Sequence, residues 1–133
     1  MANIVWLKKY SVGVEEFDFH HKKIFALIGQ YGDLLRSQEK NKMLDKLLSE
    51  LNKYIDYHLA AEEEDFKKYG YPEEKMHIKI HNGFRAKIGD LIERAGEPGI
   101  YKEVDDFLAD WWINHILKID KKYTKFFNDH GLY

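Results

Sequence analysis

The chain has 133 residues, 44% of them hydrophobic, with 21 Lys plus Arg against 23 Asp plus Glu and a net charge of -2. That length supports one core, so residues 1–133 are expected to form a single domain, and a balanced charge with no basic stripe argues against nucleic acid as a partner. There is no cysteine, which excludes disulfides, thiolate zinc sites and cysteine-held iron–sulfur clusters, so any metal must be bound through nitrogen and oxygen.

Only 2 prolines, 4 valines and 1 threonine occur among many Leu, Lys, Glu and Ile residues, a composition that favours helix over strand. The first fourteen residues, MANIVWLKKYSVGV, read as an irregular arm that lays Trp6 and Tyr10 on the body. They contain no charged segment followed by a long apolar run, and no stretch of the chain reaches the ~20 apolar residues of a membrane span. A cytoplasmic protein without a separate output module after Tyr133 is the resulting expectation. A first helix is predicted from about Glu15 to Arg36, with Phe17, His21, Ile24, Phe25, Ile28 and Leu35 on its inner stripe, before a polar turn at Ser37–Asn41. A second, from about Asn41 to Lys68, carries Leu44, Leu48, Leu51, Ile55, His58 and Glu62 on one face. It ends at YGYP, where Gly70 suits a left-handed cap and Pro72 the opening of the next helix. A third, about Pro72 to Ala95, aligns His77, Ile80, His81, Phe84, Ile88 and Ile92. The fourth, about Ile100 to Asn128, aligns Val104, Phe107, Leu108, Trp111, His115 and Ile119. Helices of about 20 residues are ~30 Å long, and short connections make neighbours antiparallel, so the expected fold is all-α: an up-down-up-down antiparallel four-helix bundle with an irregular N-terminal arm.

Five of the seven histidines fall on these inward stripes: His21, His58, His77, His81 and His115. His20 and His130 do not. A single histidine on an apolar stripe is ordinarily a hydrogen-bonded core residue, but five from four helices would need five separate hydrogen-bond solutions, and an inward Glu62 would cost several kcal/mol to bury unpaired. A shared cation removes all of these costs together. HxxxE at 58 and 62 and HxxxH at 77 and 81 each put two donors one helical turn apart. In HILKID, His115 and Asp120 lie about 140° apart on an ideal helix, so aiming both inward requires a π-bulge or a break between them. Five imidazoles and two carboxylates are too many for one tetrahedral zinc. They suit two ions bridged by the carboxylates, and the donor set leaves iron, manganese, copper and zinc open.

The set resembles the hemerythrin family over nearly the whole chain. The residues that carry the resemblance are Trp6, DFHH at 18–21, HLAAEE at 58–63, YGYPEEKMHIKIH at 69–81 and WWINHILKID at 111–120. The resemblance implies a four-helix bundle around a non-haem pair of iron ions, cycling between Fe2+ and Fe3+, that binds dioxygen reversibly. His77, His81 and His115 would hold one iron and His21 and His58 the other, with Glu62, Asp120 and an oxo or hydroxo group as bridges. The His21/His58 iron is then one ligand short, and dioxygen would bind there.

Trp112 departs from the family, in which an aliphatic residue usually lines the dioxygen pocket; it places affinity and autoxidation in question. With Phe25, Ile28, Phe84 and Ile116 it would form a dry apolar pocket that limits proton delivery. An imidazole-rich pair also stabilises high oxidation states less than the carboxylate-rich pairs of ferritin-like enzymes, which favours an oxygen store or carrier, not an enzyme, serving an oxygen-consuming partner protein of unknown identity. The alternatives are an oxygen or redox sensor and a di-iron oxidase or peroxide- or nitric-oxide-handling enzyme. Asp18, Glu63 and Asp110 are candidate partners for the outer imidazole nitrogens, although a cap or surface acid is the commoner role at such positions.

Overall fold

The apolar stripes are realised as four long helices, α1 (Glu15–Arg36), α2 (Asn41–Tyr69), α3 (Glu74–Glu93) and α4 (Ile100–Lys118), followed by a 3-10 turn at Asp120–Tyr123 and a short α5 (Thr124–Asp129). This computed structural model describes residues 4–37 and 41–133. There is no strand among them, and no helix of the described residues is long and apolar enough to cross a membrane. α1 packs against α2 and α4, and α3 closes the bundle against α2 and α4. Each helix buries positions three and four apart, the spacing that puts a stripe on one face: in α1 these include Phe17, Ile24, Ile28 and Tyr31, and in α3 His77, His81, Phe84, Ile88 and Leu91. Ile80, expected on the α3 stripe, is only half-buried and faces the edge between α3 and α4.

Before α1 the chain runs as the expected arm, interrupted by a single 3-10 turn at Lys8–Tyr10. Trp6 and Tyr10 both meet the ring of Phe25, at 5.6 and 5.1 Å, so the arm covers the flank of α1. Its end is tied at both sides. The Asp18 carboxylate accepts from Ser11 Oγ at 2.6 Å and from the Val12 N–H at 2.8 Å, and Thr124 Oγ1 donates to the Val12 carbonyl at 2.6 Å. Gly13 has φ 71°, and a Cβ there would stand 2.5 Å from Thr124 Cγ2; the dihedral and the close approach both select glycine.

The end of α2 follows the sequence expectation. Gly70 turns left-handed at φ 72°, the Tyr71 N–H reaches back to the Phe66 carbonyl at 2.9 Å, and the two rings pack at 5.1 Å, which satisfies two features of the Schellman cap together. Pro72 does not open α3. It sits in a turn closed by the Glu74 N–H to the Tyr71 carbonyl at 3.2 Å, and the helix starts two residues later at Glu74. α1 is closed by the Ser37 N–H to the Asp33 carbonyl; the remainder of the turn expected at Ser37–Asn41, residues 38–40, lies outside the described residues.

The largest difference is in the last helix, expected to continue to Asn128. α4 stops at Lys118, the Ile119 N–H still donates to the His115 carbonyl at 2.9 Å, and Asp120 begins a 3-10 turn. This is the break that the spacing of His115 and Asp120 requires; no π-bulge forms. The tighter turn brings Asp120 inward beside His115, and α5 then resumes against the arm.

Candidate metal centre

Near one end of the bundle all seven sequence-selected donors converge. Glu62, His77, His81, His115 and Asp120 form one buried group with ligand atoms within 4.8 Å of one another; His21, His58, Glu62 and Asp120 form a second. The two groups share both carboxylates, and each carboxylate divides its oxygens between them. Asp120 Oδ1 lies 3.0 Å from His77 Nε2 and 2.9 Å from His115 Nε2, whereas Oδ2 lies 3.3 Å from His21 Nε2. Glu62 Oε1 lies 3.3 Å from His81 Nε2 and 3.8 Å from His77 Nε2, whereas Oε2 lies 3.4 Å from His58 Nε2. One oxygen per group is the arrangement of a carboxylate bridging two cations.

These atoms are close, yet many are not hydrogen-bonded. Glu62 Oε1, both Asp120 oxygens and the Nε2 atoms of His77, His81 and His115 are buried without an aligned hydrogen-bond partner. Orphaned buried polar atoms cost about 1–3 kcal/mol each, more for charged groups, so six converging at one place call for a common positive partner. The carboxylates are disposed as anions despite burial. Desolvation and Asp120 push Glu62 up, but His58 and His81 more than offset them; desolvation likewise pushes Asp120 up, and His115, His21 and His77 more than offset it. Both end well below the usual carboxylate range. Burial, only partly opposed by Glu62, takes His58 down to about 4, which keeps its ring neutral and available as a donor. A buried nitrogen-and-oxygen donor set of two anionic carboxylates and five imidazoles fits two transition-metal cations.

The imidazoles are fixed by surroundings that differ around the centre. His81 donates from Nδ1 to Glu63 Oε2 at 2.8 Å, and Arg85 grips the same carboxylate through Nη1 at 2.8 Å and Nη2 at 3.2 Å. Desolvation lowers the His81 pKa, but the nearby Glu62 carboxylate and the hydrogen bond to Glu63 prevail and raise it to about 9. His115 stacks on Trp111 at 4.2 Å and 13°, and His77 stacks on Tyr123 at 5.9 Å and 17°. The Tyr123 hydroxyl donates to Glu62 Oε2 at 2.5 Å.

Comparison with known proteins identifies the family. A family model described as the hemerythrin HHE cation binding domain matches residues 12–127. The chain belongs to the hemerythrin family. It is 29% identical over 126 residues to the bacteriohemerythrin of Methylococcus capsulatus, covering 92% of this chain and 95% of that one. It is 30% identical over 126 residues to that of Pseudomonas aeruginosa, covering 93% and 81%. Solved hemerythrin variants superpose with a TM-score of 0.86 at 29% identity, over 94% of this chain and 97% of theirs.

Within this family frame, the expected pocket residues Trp112, Phe25, Ile28, Phe84 and Ile116 are all buried. Trp112 stands beside the two-histidine group, 5.8 Å from the His58 ring and 6.1 Å from His21, with Phe84 against it at 5.8 Å. Phe25 instead packs under the arm, against Trp6 and Tyr10. Of the three acids considered as imidazole partners, Glu63 takes that role. Asp18 ties down the arm, and Asp110 is exposed on the outer face of α4.

Sequence reasoning placed His20 off the inward stripe, and the structure corrects this: it is buried, with Nδ1 2.9 Å from Nδ1 of His58. The signal was available, since His20 is three residues after Phe17 and four before Ile24, both core residues, and a stripe 100° wide holds it as well as its neighbour. Tyr123 lies three residues beyond Asp120, and its bond to Glu62 depends on the break in α4.

Proposed function

We propose that the chain binds two iron ions and uses them to bind dioxygen reversibly, as a store or carrier. His77, His81 and His115 would hold one iron and His21 and His58 the other, with Glu62 and Asp120 offering an oxygen to each group. The observation that carries this reading is the unequal sharing of the cluster: both carboxylates serve both groups, but one group has three imidazoles and the other two, so an ion in the second group would have one protein donor fewer and room for a ligand from outside. Manganese, copper and zinc also accept such donors; the family match favours iron. When bound, a reduced iron pair supplies the two electrons that reversible oxygen binding requires.

The chain's own residues act around that chemistry. Trp112 walls the two-histidine side with apolar surface, backed by Phe84, and keeps bulk water out. Tyr123 holds Glu62 Oε2 by a buried hydrogen bond, and Glu63 with Arg85 holds His81 in the tautomer that leaves Nε2 free. Neutral imidazoles outnumber the carboxylates five to two, which favours holding oxygen intact over cleaving it, in contrast to the glutamate-rich ferritin-like centres.

The test is iron content together with the visible spectrum of reduced, iron-loaded protein exposed to oxygen and returned to vacuum. Two irons per chain and a colour that appears and fades support the proposal. Oxygen consumption with irreversible conversion to the oxidised form would replace it with an enzyme or a redox sensor.

A further inference from the structure

α1 carries two adjacent histidines, and both are buried. His21 belongs to the cluster, whereas His20 faces away from it into an aromatic wall of Phe17 at 6.1 Å, Tyr54 at 6.0 Å and Tyr57 at 5.3 Å. What ties His20 to the centre is the 2.9 Å separation between its Nδ1 and the Nδ1 of His58.

The tautomers follow from this distance. His58 directs Nε2 to the cluster, 3.4 Å from Glu62 Oε2. A metal held at Nε2 takes that lone pair, so the His58 proton resides on Nδ1. Two nitrogens 2.9 Å apart share one proton, so His20 must present a lone pair at Nδ1 and carry its own proton on Nε2. Edge-on contacts with Tyr54 and Tyr57, at 89° and 62°, suit a neutral imidazole N–H beside π-faces.

The other half of the centre is built differently. His81 gives its Nδ1 proton to Glu63, a carboxylate gripped by Arg85. An anionic acceptor draws the proton and makes the imidazole a stronger donor to metal; a neutral acceptor does so much less. We propose that His20 is a positioning residue that fixes the His58 tautomer through a neutral acceptor, making the two-histidine half of the centre the less electron-rich half. A weaker donor stabilises the ferric state less, which helps keep the oxygen-binding side reduced. This inference rests on the di-metal reading above.

The test compares the parent chain with His20→Leu, His20→Gln and His20→Glu, reading iron affinity by equilibrium dialysis and the reduction potential of the loaded protein. His20→Leu orphans the His58 Nδ1–H and is expected to weaken one of the two irons by about 10- to 100-fold, the usual effect of losing such a partner. His20→Gln, whose amide oxygen accepts, is expected to restore the affinity with little change in potential. His20→Glu is expected to bind as tightly or tighter and to lower the potential. Parent-like affinity in His20→Leu, loss in His20→Gln equal to that in His20→Leu, or an unmoved potential in His20→Glu would each overturn the proposal. If His20→Leu does not fold, the Gln and Glu variants decide through the potential. Failure of the parent chain to hold two metals would overturn the di-metal reading as well; two irons in the parent with indifferent variants would overturn this inference alone.

Discussion

The Tyr123 hydroxyl donates a 2.5 Å hydrogen bond to Glu62 Oε2, joining residues 61 positions apart in the buried interior. The same 3-10 turn delivers Asp120, so one departure from α-helix supplies a shared carboxylate and the clamp on the other. Burial and the nearby Glu62 raise the phenol well above its ordinary value, which keeps it a donor throughout the working range. Tyr123→Phe removes a buried bond to a charged acceptor, worth about 1.5–3 kcal/mol. A lowered Tm and an altered spectrum of the iron-loaded protein are expected. An unchanged Tm and spectrum would mean that the hydroxyl does not hold the carboxylate.

Glu62→Ala tests the sharing itself. The carboxylate faces His81 with one oxygen and His58 with the other, so its removal should disrupt both groups. Loss of paired iron is expected, measured as iron per chain and as disappearance of the spectral features of coupled iron. Two irons with a parent-like spectrum would sink the assignment of Glu62 as a bridge.

How far the sequence alone reached is clearest in helix α4. Periodicity located the stripe of Val104, Leu108 and His115, but it describes an ideal helix and extends it past Lys118. Only the requirement that His115 and Asp120 point the same way exposed the break, and nothing local in the sequence chose a 3-10 turn over a bulge. The seven cluster residues were legible because burying so many imidazoles and acids demands a shared explanation. The burial of His20 was legible in its spacing, but its role and that of Arg85 were not, because they depend on neighbours from other helices: His58 lies 38 residues from His20 and Glu63 lies 22 from Arg85. Gly70 was legible for the opposite reason, since its left-handed cap is local chemistry.

The metal-free protein should be most stable near pH 6.5. His58 has its pKa lowered from 6.5 to about 4, chiefly by burial. Between those values the unfolded chain binds the proton better, so stability is lost as pH falls through that window. His81 has its pKa raised from 6.5 to about 9, with burial opposing and the nearby Glu62 carboxylate and the bond to Glu63 prevailing. Its contribution is complete below 6.5 and lost as pH rises towards 9. Thermal melts of the metal-free chain from pH 4 to about 9 should therefore give a bell-shaped dependence. Iron loading should abolish the alkaline limb, because a metal on His81 Nε2 displaces the proton. A flat alkaline limb before loading would show that His81 is not held protonated by its two carboxylates.

Trp112 is fully buried beside His21 and His58, and its indole N–H has no hydrogen-bond partner. Trp112→Leu removes much of the wall on the two-histidine side without touching a donor of the cluster, so iron content is expected to stay at two. The stability cost should fall below the ~3–5 kcal/mol of full truncation to alanine, because leucine refills part of the space and the unpaired N–H is removed. Admission of water should speed autoxidation, read as decay of the oxygenated spectrum. Trp112→Phe separates bulk from polarity: it keeps an aromatic wall and lacks the N–H, so autoxidation closer to the parent than to the leucine variant is expected if exclusion of water is what the indole provides. Equal rates in parent and Trp112→Leu would place the oxygen pocket elsewhere.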